Sequence, residues 1–166
     1  MGFLYFVRAG RVPQMFHIVD DNYALREMLV DILRELGHAA CAYSSALEYI
    51  DFMDDADYEQ PIAIFTDVKM PGMNGFELIA RVQKRYRNMK FVVMSGYTDE
   101  LSDKMKMACL VLTKPFQMDL LEKMTELLIQ CHHGRLGELR CNQVAELKPL
   151  YPAGWQCPHQ PSCSCI

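Results

Sequence analysis

The chain has 166 residues, enough for one domain with a sizeable core and a short appendage but not for a second full domain. Slightly more than half of it is hydrophobic (51%), yet no apolar run approaches bilayer-spanning length, so it reads as a soluble chain with no membrane association. The net charge of −4, with Lys and Arg scattered rather than clustered, argues against nucleic-acid binding by this chain alone.

Residues 1–14 are mildly apolar and carry Arg8 and Arg11, but lack the hydrophobic core and small-residue cleavage site of a signal peptide. Met15 directly precedes the first convincing strand, so this stretch is either an irregular extension or an upstream start choice. Seven cysteines make an odd count, of which only Cys41 and Cys109 fall in core elements; buried free thiols suit a reducing compartment, and a cytoplasmic location is expected. Cys131, Cys141, Cys157, Cys163 and Cys165 lie at or beyond the end of the last helix.

Phe16 to Val19 forms a short apolar strand that ends at Asp20 and Asp21, with Asn22 before a helical pattern. Leu25, Met28, Leu29, Ile32, Leu33 and Leu36 then recur at spacings of three and four as one apolar stripe, and Gly37 stops the helix as a left-handed cap. Ala39 to Tyr43 is a weaker strand, and Ser44 is the expected N-cap of a helix through Leu47, Ile50 and Phe52. The acidic residues Asp51, Asp54, Asp55, Asp57 and Glu59 mark its solvated end and loop.

Ile62 to Phe65 is apolar without alternation, the signature of a strand buried on both faces, and it leads to a single carboxylate, Asp67. Pro71, Gly72, Asn74 and Gly75 make a sharply turned connection to a third helix carrying Phe76, Leu78, Ile79 and Val82. That helix ends in a basic segment, Arg81 to Arg87, which complements its C-terminal dipole. Phe91 to Met94 is a fourth strand, ending at Ser95 and Gly96. Asp99 to Met107 is expected as a short polar helix, Leu110 to Leu112 as a fifth strand leading to Lys114-Pro115-Phe116, and Leu120 to Leu128 as a fifth helix ending near Gln130.

Strands alternating with helices at these lengths predict a doubly wound α/β fold with a parallel sheet. All strand C-termini then point to one edge, where Asp20, Asp21, Asp67, Ser95 and Lys114 should meet. Three ionised carboxylates together repel, and a cation relieves them. Magnesium suits this edge, being hard and content with carboxylates, a carbonyl and water, and no Cys or His lies there for a softer metal. Lys114 supplies a mobile point charge and Ser95 a hydroxyl donor. Whether the Lys114-Pro115 bond is cis is left open by the sequence. A carboxylate nucleophile, a metal, a cation and a hydroxyl are the parts of in-line phosphoryl transfer to an aspartate.

These residues resemble the receiver domains of two-component response regulators over Met15 to Gln130. The likeness rests on Asp-Asp-Asn after the first strand, Asp-Val-Lys-Met-Pro-Gly-Met-Asn-Gly at the third, Ser-Gly after the fourth and Lys-Pro-Phe after the fifth. It implies a flavodoxin-like (βα)5 fold with five helices, and a phosphoacceptor signalling protein rather than an enzyme. Asp67 would take a phosphoryl group from the phosphohistidine of a sensor histidine kinase or phosphotransfer protein and relay the signal to a downstream protein target. Asp21 would bind Mg2+ directly, Asp20 largely through water, with Asp67 and the Lys69 backbone carbonyl completing the metal site. The Lys69 side chain would flank the phosphoryl group, and Ser95 and Lys114 would hold its oxygens. A homodimer is left open.

Two departures stand out. Receivers usually carry an aromatic residue three positions before the lysine, and here that position is Val111. The span from Ser95 to Lys114 also looks about one helical turn shorter than is usual in the family, at 3.6 residues per turn, which compresses the fourth helix. Tyr97 is a candidate to take over part of the aromatic role, against the plainer reading of a surface-packed ring. They keep a rival open, a receiver-fold binding module whose partner contact ignores phosphorylation. A phosphohydrolase is disfavoured by the lack of an evident separate acid. From 131 to 166 the composition turns to Cys, His, Gly and Pro. Cys157, His159, Cys163 and Cys165 lack paired Cys-x-x-Cys spacing, so a loosely packed or disordered tail is preferred over a zinc site.

Overall fold

The computed structural model describes residues 13–96 and 104–133. Outside them lie the expected N-terminal extension up to residue 12, Tyr97, the start of the short polar helix at 99–103, and the tail cysteines with His159. The elements run β1 (Met15–Val19), α1 (Tyr23–Glu35), β2 (Ala39–Tyr43), α2 (Ala46–Phe52), β3 (Ala63–Asp67), α3 (Gly75–Arg85), β4 (Lys90–Ser95), a 3-10 turn (Lys104–Met107), β5 (Leu110–Thr113) and α4 (Met118–His132).

The strands form one parallel sheet in the order β2-β1-β3-β4-β5. This is the flavodoxin-like winding, in which the chain moves outward to β2, then crosses back past β1 to build the other half. The reversal leaves a crevice beyond the ends of β1 and β3. All five residues of β3 are buried, as the unbroken apolar run requires of a central strand.

Two apolar clusters cover the two faces. Phe16, Ile18, Phe65, Val92 and Leu112 meet α1 and α4 through Leu29, Leu33, Leu121 and Leu128. Val19, Ile64, Val93 and Val111 meet α2 and α3 through Tyr49, Leu78, Ile79 and Val82. Fully burying each such aliphatic or aromatic side chain contributes about 2 kcal/mol, so these faces carry most of the drive to fold.

Local signals explain the boundaries. Asn22 caps α1 by accepting from Leu25 N at 3.2 Å. Gly37 has φ +86°, the left-handed stop expected after that helix. The cap of α2 is Ser45, which accepts from Glu48 N at 3.1 Å, and not the expected Ser44. Ser44, one residue before the cap, instead donates its N–H and its hydroxyl to Glu48 Oε2, each at 2.6 Å. In this helix Ala46 and Tyr49 face inward and Leu47 is half exposed. Met28 of the expected α1 stripe is likewise exposed, while Val30 is buried. Cys109 is buried as expected, but Cys41 is exposed because β2 is an edge strand. The described end of the polar segment before β5 is a 3-10 turn, and the last helix runs to His132, which places Cys131 inside it and buried.

Below the site, His17 on β1 is buried and shares a 3.0 Å hydrogen bond through Nδ1 with Tyr49 Oη, ringed edge-on by Tyr43, Tyr49, Phe52 and Tyr58. Burial lowers its pKa to about 4. Below its ordinary pKa of about 6.5 the unfolded chain takes a proton that folded His17 refuses, so stability is lost as pH falls from there toward about 4. The loss across that window is roughly 3 kcal/mol, set by a 1.36 kcal/mol change per pKa unit. A His17→Phe variant should lose less melting temperature than wild type between pH 7 and pH 5; parallel acid limbs would refute this.

Candidate functional site

Four of the five strands hand one polar residue each to the same edge. Asp20 follows β1, Asp67 ends β3, Ser95 ends β4, and Lys114 follows β5. The Lys114 ammonium sits between the two buried acids, 2.7 Å from Asp20 Oδ2 and 2.6 Å from Asp67 Oδ1. Asp20 is fully buried, Asp67 is 8% exposed and the lysine side chain 25%, so the pair is sheltered but reachable from one side. The Lys114-Pro115 bond is cis.

The backbone fixes both acids. Asp20 Oδ1 accepts from Asn22 N at 2.8 Å, and Asp67 Oδ2 accepts from Lys69 N at 2.9 Å, so each carboxylate keeps one oxygen on a backbone N–H and turns the other to Lys114. Ser95 is buried at the end of β4, and its carbonyl accepts from Lys114 N at 2.8 Å, which ties the last strand end to the fourth. The Lys69 side chain projects from an exposed position. Its loop is anchored on either side by Val68, Met70 and Met73 in the core. Asp21 is exposed at the rim. Among the described residues no group of three His, Cys, Asp or Glu side chains is gathered as a ready cage for an ion. The acids form a pair closed by a lysine.

The electrostatics follow from burial. Desolvation pushes the Asp67 carboxyl up from its ordinary value; hydrogen bonding and charge from Lys114 pull it down, and the Asp20 carboxylate beside it pushes it up again. Burial also works against the charge on Lys114, yet its hydrogen bonds to Asp20 and Asp67 raise its pKa. The lysine is thus held as an ammonium, while Asp67 remains short of full relief. A hard divalent cation fits this donor set, because its oxygens already hold a cation in the form of the Lys114 ammonium, and no thiol or imidazole is among them.

Two residues shape the site through contacts that their type alone does not announce. Gly75, the first residue of α3, lies against the Asp67 backbone: a Cβ there would stand 2.2 Å from the Asp67 carbonyl oxygen and 3.1 Å from Thr66 Oγ1. Thr66 Oγ1 in turn donates to that carbonyl at 3.0 Å, and Gly75 N donates to Val68 O at 3.0 Å. On the other acid, Arg26 Nη1 donates to Asp20 O at 2.6 Å. A turn glycine and a helix arginine are common, so neither stood out as a site residue by type alone. A basic residue near the start of a helix, against the dipole, is the signal that marks Arg26.

These features put the chain among doubly wound α/β proteins with an acidic site at the switch point of a parallel sheet. Comparison with protein families narrows that class: the response regulator receiver domain matches residues 16–126, and the chain belongs to this family, the receivers of two-component signalling. It is 36% identical over 83 residues to transcriptional regulatory protein FixJ of Azorhizobium caulinodans, covering 50% of this chain and 38% of that protein. It is 28% identical over 105 residues to sporulation initiation phosphotransferase F of Bacillus subtilis, covering 61% and 82%. The chain therefore spans well under two thirds of the length of the first of these relatives. Among solved structures, the chemotaxis response regulator CheY4 of Vibrio cholerae superposes with TM-score 0.63 at 24% identity over 70% of this chain and 99% of that one. The response regulator TrrA of Thermotoga maritima, in complex with Mg(2+)-BeF, gives 0.62 at 24% identity over 69% and 98%. At such identities the structural likeness speaks for the fold.

The close approach at Gly75 makes a specific demand. Gly75→Ala should lower stability by about 1–3 kcal/mol, the usual cost of overpacking, because the clash is with rigid backbone. Gly96→Ala, with no atom of the described residues within 4 Å of the new Cβ, should melt close to wild type. Equal melting temperatures for the two variants would refute the close approach.

Proposed function

We propose that this receiver domain is a phosphoacceptor, with Asp67 as the nucleophile, Lys114 and Ser95 holding the transferred phosphoryl group, and Mg2+ as the cofactor. The observation that carries the reading is the pair of buried carboxylates, Asp20 and Asp67, bridged by one ammonium at 2.7 and 2.6 Å. Asp20, Asp21, Asp67 and the Lys69 carbonyl would hold the ion. When bound, it supplies positive charge that offsets the acids and the incoming phosphoryl oxygens.

The chain's own residues do the rest. Asp67 Oδ1 attacks the phosphorus of a phosphohistidine; the new O–P bond forms as the P–N bond breaks, and the leaving imidazole nitrogen keeps the bonding pair and takes a proton from solvent. The hydrogen bond from Lys69 N to Oδ2 orients the carboxylate, so that Oδ1 is the oxygen presented to the donor. The Lys114 ammonium, already on Oδ1, need move only slightly to meet a phosphoryl oxygen. Ser95 lies across the strand pairing at the end of β4, where its hydroxyl can donate to another. Lys69 flanks the group from its exposed position. The raised pKa of Asp67 fits a nucleophile kept from full ionic relief until a second cation arrives. Phosphoryl loss would occur by water attack within the same site, so the chain is a signalling substrate that assists its own turnover.

The partners implied are a sensor histidine kinase or phosphotransfer protein upstream and a protein target downstream, met by protein contact in the cytoplasm. The receiver unit is proposed to occupy residues 15–130. A second reading is favoured by Val111, which is 1% exposed on β5 and packed in the core opposite Val93. Lacking a ring to swing, this position cannot report phosphorylation as an aromatic would, and partner binding independent of Asp67 would follow.

Incubation with an acyl phosphate and MgCl2 should add one phosphoryl group to the wild-type chain, seen as a mass increase lost on treatment with hydroxylamine. Asp67→Asn should remain unlabelled. Undiminished labelling of that variant would overturn the assignment of Asp67.

A further inference from the structure

We infer that Arg26 is a positioning residue for the metal-binding edge of this site: its guanidinium clamps the Asp20 carbonyl and thereby sets the peptide from which Asp21 projects. The inference rests on the proposed role of Asp20 and Asp21 toward Mg2+ and adds a residue to it. Asp20 is held at each of its polar atoms. Its N–H donates to Tyr43 O at 3.2 Å, Oδ1 accepts from Asn22 N at 2.8 Å, Oδ2 from Lys114 Nζ at 2.7 Å, and its carbonyl from Arg26 Nη1 at 2.6 Å. The Arg26 contact is the shortest of the four. The Asp20 carbonyl and the Asp21 N–H belong to one planar unit, so fixing the oxygen fixes the plane. Asp21 is exposed, so burial does not fix its direction, and the peptide plane sets where its backbone departs.

Arg26 is itself held for this task. Its guanidinium lies over the Tyr23 ring, 5.6 Å from the centroid, on an exposed tyrosine one turn earlier in α1. Its charge also reaches Glu48 of α2, whose carboxyl it helps keep low after the hydrogen bond from Ser44. One guanidinium thus links the end of β1 and the first turn of α1. The placement runs against local helix preference, since a cation near a helix N-terminus opposes the dipole and α1 has no acidic residue in its first turn to offset it.

The clamp and the bare charge make opposite predictions. Deleting a positive charge beside a cation site should strengthen Mg2+ binding, whereas releasing the Asp20–Asp21 peptide should weaken it. Titration of the full chain with MgCl2 by calorimetry should show Arg26→Met binding about tenfold more weakly than wild type, as loss of a residue supporting metal ligands does. Arg26→Lys, which keeps the charge and one donor, should stay closer to wild type. An unchanged or tighter dissociation constant in a folded Arg26→Met protein would overturn the inference. If that variant fails to fold, Tyr23→Leu decides: it removes the ring beneath the guanidinium at a site that is 68% exposed, and it should weaken Mg2+ binding, with no change refuting the clamp. Absence of Mg2+ binding in the wild type would instead refute the proposed cofactor and leave the clamp without a purpose.

Discussion

One ammonium between two buried carboxylates sets the terms for the rest of this structure. Asp20 and Asp67 come from strands that neighbour each other in the sheet but are separated in the chain by α1, β2 and α2. Lys114 comes from the far end of β5, and its reach of 2.7 and 2.6 Å to the two acids closes the edge of the sheet across its middle. Burial of all three groups would be costly if any stood alone. Together they form an only partly compensated cluster, two carboxylates to one ammonium, in which Asp67 keeps a raised pKa.

The surrounding elements follow from holding that geometry. The β3–α3 loop is pinned from below by Met70 and Met73, and α3 can start only because Gly75 has no side chain to strike the Asp67 carbonyl. The Asn74 and Glu77 capping box closes the first turn of α3, so the helix begins at a fixed point beside the acid. On the β1 side, Asn22 serves twice, as cap of α1 and as donor to Asp20. Arg26 completes that side. Local helix signals and site geometry are thus the same contacts seen from two directions.

Much of this was legible in the sequence because strand ends in a parallel sheet must share an edge. Asp20, Asp67, Ser95 and Lys114 each follow a short apolar run, and that grammar alone predicts where they stand. What escaped was set by tertiary packing. Ser44 and Ser45 are alike as caps, and only the burial of Tyr49 beside His17 selects Ser45. Leu47 and Met28 fit a helical stripe by spacing yet face outward, because the faces presented to the sheet are narrower than the apolar pattern. Cys41 sits in a strand but on the sheet's edge, a fact of strand order rather than composition. The short contact at Gly75 and the clamp from Arg26 depend on atoms distant in sequence.

The same contacts shape how a signal would leave the site. Val111 is packed opposite Val93 in the second apolar cluster, while the backbone ties from Lys114 N to Ser95 O and from Val68 N to Met94 O join the strand ends around Asp67. The most direct measurement of the central claim is an amide NMR titration of the full chain with beryllofluoride, a mimic of the phosphoryl group, in the presence and absence of MgCl2. The account predicts a magnesium-dependent bound state with its largest shifts at Asp67, Lys69, Ser95 and Lys114. Spectra that do not change, or that change equally without magnesium, would contradict it.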